Sequence, residues 1–238
     1  MNTQSSPSNH SGRSIKKLYR QAVRALRTSK HDDAFSLTQE IISRQDDHAG
    51  AHAVQFSSLF KNKQFESARL MGNKAAELNP KSVFILNNQA CLELESNNPT
   101  PAAELLESLI EQFGERAQWL YNLGFAHELS GQYSTAISMF RKTLDQNPLH
   151  DKAARQLAET LEKVGHFEEA SQAYDYLRLI NHNNAASHAQ YIQCAANSDN
   201  ISIDSLAQEL RSWGDRFIPK SKHYDVLDIA QKPVLNIA

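Results

Sequence analysis

The sequence predicts an all-α protein, a right-handed α-solenoid of helix–turn–helix repeats. Three observations carry that expectation. Glycine and proline are scarce, with 8 and 7 among 238 residues, which favours long helices over an all-β fold. The chain repeats itself every 34 residues, with frames beginning at Ile15, Ala49, Val83, Ala117, Asp151 and Ala185 and no insertion between them. One position of that frame is alanine five times running, at Ala34, Ala68, Ala102, Ala136 and Ala170.

The fourth frame shows the pattern most clearly. It runs from Ala117 through Leu120, Leu123, Gly124, Gly131, Tyr133, Ala136 and Phe140 to Pro148. Gly124 lies mid-helix, where glycine costs about 1 kcal/mol against alanine, and a chain tolerates that where another backbone approaches closely. Gly131 is placed to end the first helix in the left-handed conformation. Ala136 is small where the second helix crosses the first, and Phe140 fills the space below the crossing. Pro148 cannot continue the old helix and begins the next element. With Leu120, Leu123, Gly124, Tyr133, Ala136, Phe140 and Pro148 in place, the segment resembles the tetratricopeptide repeat family. That resemblance implies a stack of helical hairpins whose first helices line a concave face.

Taken in order, the elements follow the frame. Residues 1–14 are rich in Ser, Asn and Gln, cannot bury a core, and are expected to be disordered. Five repeats are expected at 15–48, 49–82, 83–116, 117–150 and 151–184. The positions equivalent to Gly124 hold Ala22, Phe56, Ala90 and Ala158, small residues but for Phe56. First helices are expected near 15–28, 49–62, 83–96, 117–130, 151–164 and 185–197, and second helices near 32–44, 65–78, 100–112, 133–146, 167–180 and 203–216. Thr100-Pro101 reads as an N-cap followed by proline at the first helical position. Ser202 is placed to cap the last helix. The frame at 185–217 carries Asp204 where the others carry alanine, as expected of a capping repeat that must shield the apolar end of a stack. Residues 218–238 are expected to hold a short helix around Tyr224–Ala230 and then a strand-like run from Pro233 to Ala238, a tail that reads as the start of a following domain.

Composition narrows the functions. The formal net charge is −2, so no strongly basic surface advertises nucleic acid. Apolar runs are far shorter than the ~20 residues of a membrane span. The polar start has no apolar core of a signal peptide. Cys91 and Cys194 are too few and too far apart for a disulfide framework or a zinc site, and a reducing, cytoplasmic setting is the expectation. No phosphate loop, nucleophile elbow or zinc-protease motif is present, so no catalytic residue, cofactor or metal is assigned.

Several residues invite a sharper reading and receive the plainer one. His48 and His52 stand four apart, yet lack the further ligands a metal needs, and read as a helix start. His127, Trp119 and Trp213 read as packing residues. Cys91 has Glu93 and Glu95 nearby, which does not favour a thiolate, so an ordinary thiol is expected. Lys16, Lys17, Arg20, Arg24 and Arg27 could lie against an anionic membrane, but the apolar residues between them fit the repeat, and a solvated outer face is expected.

The concave face is the best candidate for function. The sixth position of successive first helices reads Arg20, Val54, Asn88, Asn122, Gln156 and Gln190, ending in four side-chain amides. An amide offers a donor and an acceptor, matching a peptide bond. Asn87, Tyr121, Arg155 and Phe125 stand beside them on the same face. The candidate groove is therefore Asn87, Asn88, Tyr121, Asn122, Phe125, Arg155, Gln156 and Gln190, and the partner a protein or extended peptide. Family members that hold chaperone tails use a Lys and Asn pair that the first repeats here lack. An amide ladder is also similar to that of SPINDLY-type protein O-linked N-acetylglucosamine transferases. Leu210–Phe217 looks like the helix that closes the repeats there, and Lys232–Ala238 like the first strand of the catalytic part. That resemblance implies an alternative, the substrate-recognition region of a glycosyltransferase. A third reading is an assembly adaptor using the convex face.

Overall fold

The computed structural model describes residues 14–197 and 201–218. Among them lie twelve α-helices and no strand. They are α1 (Ile15–Arg27), α2 (His31–Arg44), α3 (Ala49–Lys61), α4 (Phe65–Leu78), α5 (Val83–Glu95), α6 (Pro99–Phe113), α7 (Ala117–Leu129), α8 (Tyr133–Gln146), α9 (Asp151–Lys163), α10 (Phe167–Ile180), α11 (Ala185–Ala196) and α12 (Ile203–Phe217). Each odd-numbered helix starts on the first residue of a 34-residue frame. The polar run 1–13, residues 198–200 of the turn, the helix expected at Tyr224–Ala230 and the strand expected at Pro233–Ala238 lie outside the described residues.

The chain divides into two compact units, Met1–Gln132 and Tyr133–Ala238. The first contains α1 to α7, each packed on the next, with α1, α3, α5 and α7 also touching in sequence. In the second, α8 packs on α9, α9 on α10, α10 on α11 and α11 on α12. Helix α3 is enclosed by α1, α2, α4 and α5, so that every residue from Ala51 to Phe60 is buried. Close approach on this scale requires small residues. A Cβ on Gly50 would sit 2.6 Å from the Tyr19 hydroxyl oxygen, inside van der Waals contact. At the other end of the chain, α12 has no buried residue and is anchored by its Trp213 indole N–H, which donates to the Ala185 carbonyl at 3.0 Å.

The turn inside each repeat is the same five times. The residue two places beyond the first helix is left-handed in every case: Ser29, Lys63 and Asn97 at φ 57°, 58° and 56°, Gly131 and Gly165 at 74° and 83°. The following N–H then reaches back five residues. Lys30 bonds to Ala25, Gln64 to Leu59, Asn98 to Glu93, Gln132 to His127 and His166 to Leu161, all at 2.8–2.9 Å. This is the Schellman closure, and it satisfies carbonyls that a helix end otherwise leaves open. Only two of the five positions are glycine, so three residues carry the left-handed cost that glycine avoids. Lys63→Gly is expected to stabilise the fold by about 0.5–1 kcal/mol, the strain relieved less the added freedom of the unfolded chain. Urea unfolding checks it, and an unchanged or lower midpoint would count against this account of the turn.

Where the helices cross, the side chains are sorted by size. Ala34, Ala68, Ala102, Ala136 and Ala170 are each 0% exposed. Ala68 is packed among Phe56, Leu59, Phe60 and Leu92. Ala68→Phe is expected to overpack that site and cost about 1–3 kcal/mol. Thermal unfolding followed by circular dichroism reads the effect, and an unchanged melt would overturn the assignment of this position to the crossing. The second repeat departs from the others in one respect. Where the first helices carry Ala22, Ala90, Gly124 and Ala158, it carries Phe56; where the second helices carry Thr38, Leu106, Phe140 and Tyr174, it carries Gly72. A Cβ at Gly72 would meet the Phe56 ring at 3.5 Å. The aromatic volume has changed sides of the crossing.

Two helix starts can be judged in detail. Ser202 does cap α12, its Oγ accepting from the Ser205 N–H at 3.1 Å. Thr100 does not cap α6. That helix starts one residue early at Pro99, with Asn98 in the cap position making no side-chain cap bond. The Asn98 amide donates instead to the Glu93 carboxylate at 3.0 Å. The third helical residue is Pro101, which has no N–H for a cap side chain to accept from, so less is lost.

Candidate functional site

The amide row does structural work before it offers anything to a partner. Asn88 on α5 donates from Nδ2 to the Ser57 hydroxyl on α3 at 3.1 Å, and Ser57 in turn donates to the Ala53 carbonyl at 3.0 Å. Asn122 on α7 donates to the Cys91 sulfur on α5 at 3.7 Å. Both pairs span 31 residues, joining the sixth position of one first helix to the ninth of the helix before it. In the preceding frame the same two positions hold Val54 and Val23, which share one apolar cluster. The contact is thus matched in chemistry along the first unit, apolar against apolar and amide against hydroxyl or thiol. Ser57 and Cys91 were the partners a reading of single positions missed; pairing the sixth column with the ninth column of the frame before would have found them.

The remaining candidates differ in what they leave open. Asn122 is 7% exposed, and its carbonyl oxygen accepts from Gln118 Nε2 at 3.0 Å, so both ends of the amide are engaged. Asn88 is half-buried and its carbonyl end has no partner among the described residues. Asn87, also half-buried, makes no side-chain hydrogen bond among them. Tyr121 is half-buried, and Phe125 rests partly buried on Leu94, Ala102 and Ala126. In the second unit, Arg155 donates from Nη1 to Gln190 Oε1 at 2.8 Å, binding α9 to α11, while Gln156 is half-buried on α9.

The histidines and thiols hold local structure. His48 Nδ1 accepts from the Ala51 N–H at 3.0 Å and His150 Nδ1 from the Ala153 N–H at 3.1 Å, each capping the helix that follows. His52 Nε2 meets the Asp46 carbonyl at 2.7 Å, closing the turn before α3. His127 is only half-buried, not a packed interior ring; its Nδ1 pairs with Gln132 Oε1 at 2.6 Å across the turn. Trp119 is buried and stacks under the Arg116 guanidinium at 4.5 Å. Among the described residues no cluster of three or more His, Cys, Asp or Glu could hold a metal ion. Burial pushes the Cys91 thiol up, and it pushes Cys194 up to about 11, with Glu162 adding to the effect. A raised thiol pKa means less thiolate at any pH below it. Both cysteines are therefore expected to resist iodoacetamide at pH ~8 while the chain is folded and to react once it is denatured. Mass spectrometry of alkylated peptides reads this, and rapid labelling of native Cys194 would contradict the burial argument.

Comparison with known proteins agrees with this geometry. Two tetratricopeptide repeat models match the chain, one over residues 87–148 and one over 128–191. Residues 87–191 match tetratricopeptide repeats, and the helices on either side keep the same 34-residue spacing. Solved structures share the fold. PilW, described as a widely conserved type IV pilus biogenesis factor, superposes with a TM-score of 0.72 at 15% identity, over 93% of this chain and 100% of its own. Pseudomonas aeruginosa PilF gives 0.69 at 20% identity, over 91% and 97%. MamA from Desulfovibrio magneticus RS-1 gives 0.67 at 18% identity, over 72% and 98%. No curated protein matches the chain in sequence. Among the described residues no helix is long and apolar enough to cross a membrane.

Proposed function

We propose that the chain is a peptide-binding tetratricopeptide scaffold whose first helices hold an extended segment of a partner protein. The observation that carries the reading is the pair Asn87 and Asn88. They are adjacent and half-buried, and on α5 they leave polar groups without a protein partner among the described residues. A peptide bond supplies the matching acceptor and donor. Tyr121 and Phe125 on α7 add aromatic surface in the same unit, whereas Arg155 and Gln190 in the second unit are joined to each other. The buried Asn122 takes the supporting role of holding α7 against α5. Contacts of this kind read backbone, so sequence preference is broad. Each hydrogen bond adds about 0.5–1.5 kcal/mol net, and association entropy opposes much of the sum, so affinity for a single short peptide is weak, about micromolar.

The test is selection of a random peptide library on the immobilised chain, followed by titration of the recovered peptides. Asn87→Ala with Asn88→Ala is expected to weaken most of them by a similar factor, about 1–3 kcal/mol for two lost bonds. A double variant that binds every peptide as the parent does would move the site elsewhere, with the convex face the next surface to map.

A further inference from the structure

In the second unit α9 packs on both α8 and α10. Between α8 and α10 lies a hollow of about 610 Å³ walled by all three helices. Its floor is apolar: Ala154 and Leu157 rise from α9, Leu144 from α8 and Ala173 from α10. Two contacts bridge its mouth. Arg141 on α8 pairs with Glu169 on α10. The Tyr176 hydroxyl on α10 donates to the carbonyl of Pro148, just past the end of α8, at 2.6 Å. Arg141 and Pro148, like Glu169 and Tyr176, are separated by two helical turns, so the bridges stand about 10 Å apart and close the hollow at both ends. Asp145 stands between them. It is exposed at the rim, and its side chain has no ion-pair or hydrogen-bond partner among the described residues. Arg141 and Glu169 cancel, so Asp145 leaves the rim with one net negative charge. Helical periodicity turns Arg155 and Gln156 to the other side of α9, and the hollow shares no residue with the amide row.

We infer that this hollow receives an aromatic side chain of a partner protein, with a lysine or arginine beside it in the partner's sequence. The floor offers no polar group, so the part that enters must be apolar. The distance between the bridges sets its size. A whole helix, about 10–12 Å across, does not enter, and an extended chain cannot run through a space closed at both ends after about three residues. One ring fits. Asp145 then supplies the charge complementarity, because a cation next to the ring meets the one unpaired carboxylate at the rim. Leu149 follows Pro148 in the chain and is 76% exposed. It adds apolar surface outside the mouth that a small free ligand would leave uncovered and a protein flank would cover. An aromatic anchor in a pocket, with near-neutral contacts around it that exclude water, is how protein interfaces concentrate their affinity. The inference stands whether or not Asn87 and Asn88 hold a peptide.

The probe is acetyl-Trp-Lys-amide, titrated into the nitrogen-15-labelled full chain and followed by backbone amide shifts. The shifts are expected to saturate and to gather on the stretches from Arg141 to Leu157 and from Glu169 to Tyr176. Ala173→Leu fills the hollow from the α10 wall and is expected to weaken binding about tenfold. Asp145→Asn changes an exposed side chain, leaves the circular dichroism melt unchanged, and is expected to weaken binding about threefold, as the loss of one exposed ion pair does. Acetyl-Trp-Glu-amide is expected to bind the parent more weakly than the lysine peptide, and the difference is expected to shrink in Asp145→Asn. Equal binding of the two peptides to the parent, undiminished binding by Ala173→Leu, or shifts gathered on the first helices of the first unit would each overturn the proposal. Tryptamine binding as tightly as the lysine peptide would overturn the protein partner and assign the hollow to a small organic cation.

Discussion

Phe56→Ala is expected to destabilise the first unit by about 3–5 kcal/mol, the cost of emptying a fully enclosed aromatic site. Phe56 is 0% exposed and is packed with Leu59, Phe60, Ala68 and Leu92. The more informative result is the rescue. Because Gly72 faces the Phe56 ring at 3.5 Å, a larger residue at 72 grows into the space that the alanine vacates. Gly72→Leu alone is expected to overpack and cost about 1–3 kcal/mol. Phe56→Ala with Gly72→Leu is expected to be more stable than the sum of the two single changes by more than 1 kcal/mol, as coupled neighbours show. That double variant restores the arrangement of the third repeat, which has Ala90 and Leu106 at the same two positions. Chemical denaturation of the four proteins measures the coupling. Strict additivity would show that the two positions do not share a volume.

The second large effect concerns a charge. Glu93 on α5 is only 8% exposed and accepts from Arg69 Nη1 on α4 and from Asn98 Nδ2. Arg69 is about a third exposed on its side chain, so the arginine can be served by water and the carboxylate cannot. The Glu93 hydrogen bond also raises the Arg69 pKa further above its ordinary value. Arg69→Ala strands a buried carboxylate with one amide donor, and a loss of about 3 kcal/mol is expected, toward the low end for a broken buried pair because part of it faces solvent. Arg69→Ala with Glu93→Leu removes both partners and is expected to recover most of that loss. Denaturation midpoints of the two variants decide it; if the single variant loses under 1 kcal/mol, the pair behaves as an ordinary surface bridge.

Much of the fold was legible because a repeat is tested at many positions at once. The alanine column, the starts of the first helices and the left-handed Gly131 all follow from a 34-residue frame, and each is visible in the structure. Phe56 looked like an exception to a small-residue column. Its reason was visible only in three dimensions, where the ring faces Gly72 from another helix. The Asn98 side chain was equally unreadable from its neighbours, since its partner Glu93 lies on the preceding helix across the left-handed turn.

The candidate site divides along the same line. The sequence by itself determined which side chains carry amides, aromatics and arginines at equivalent positions of the first helices, because a fixed 34-residue repeat puts those positions in register. Only the tertiary structure decided which of them are already engaged. Asn122 is closed by Gln118 and Cys91, Arg155 is joined to Gln190, and Asn87 and one end of Asn88 are left open. The physical reason is that periodicity places a residue by angle alone, whereas a hydrogen bond between repeats depends on how closely neighbouring helices approach. That distance is set by the small and large residues at the crossings, and it brings a sixth-position amide within reach of a ninth-position hydroxyl or thiol one repeat earlier.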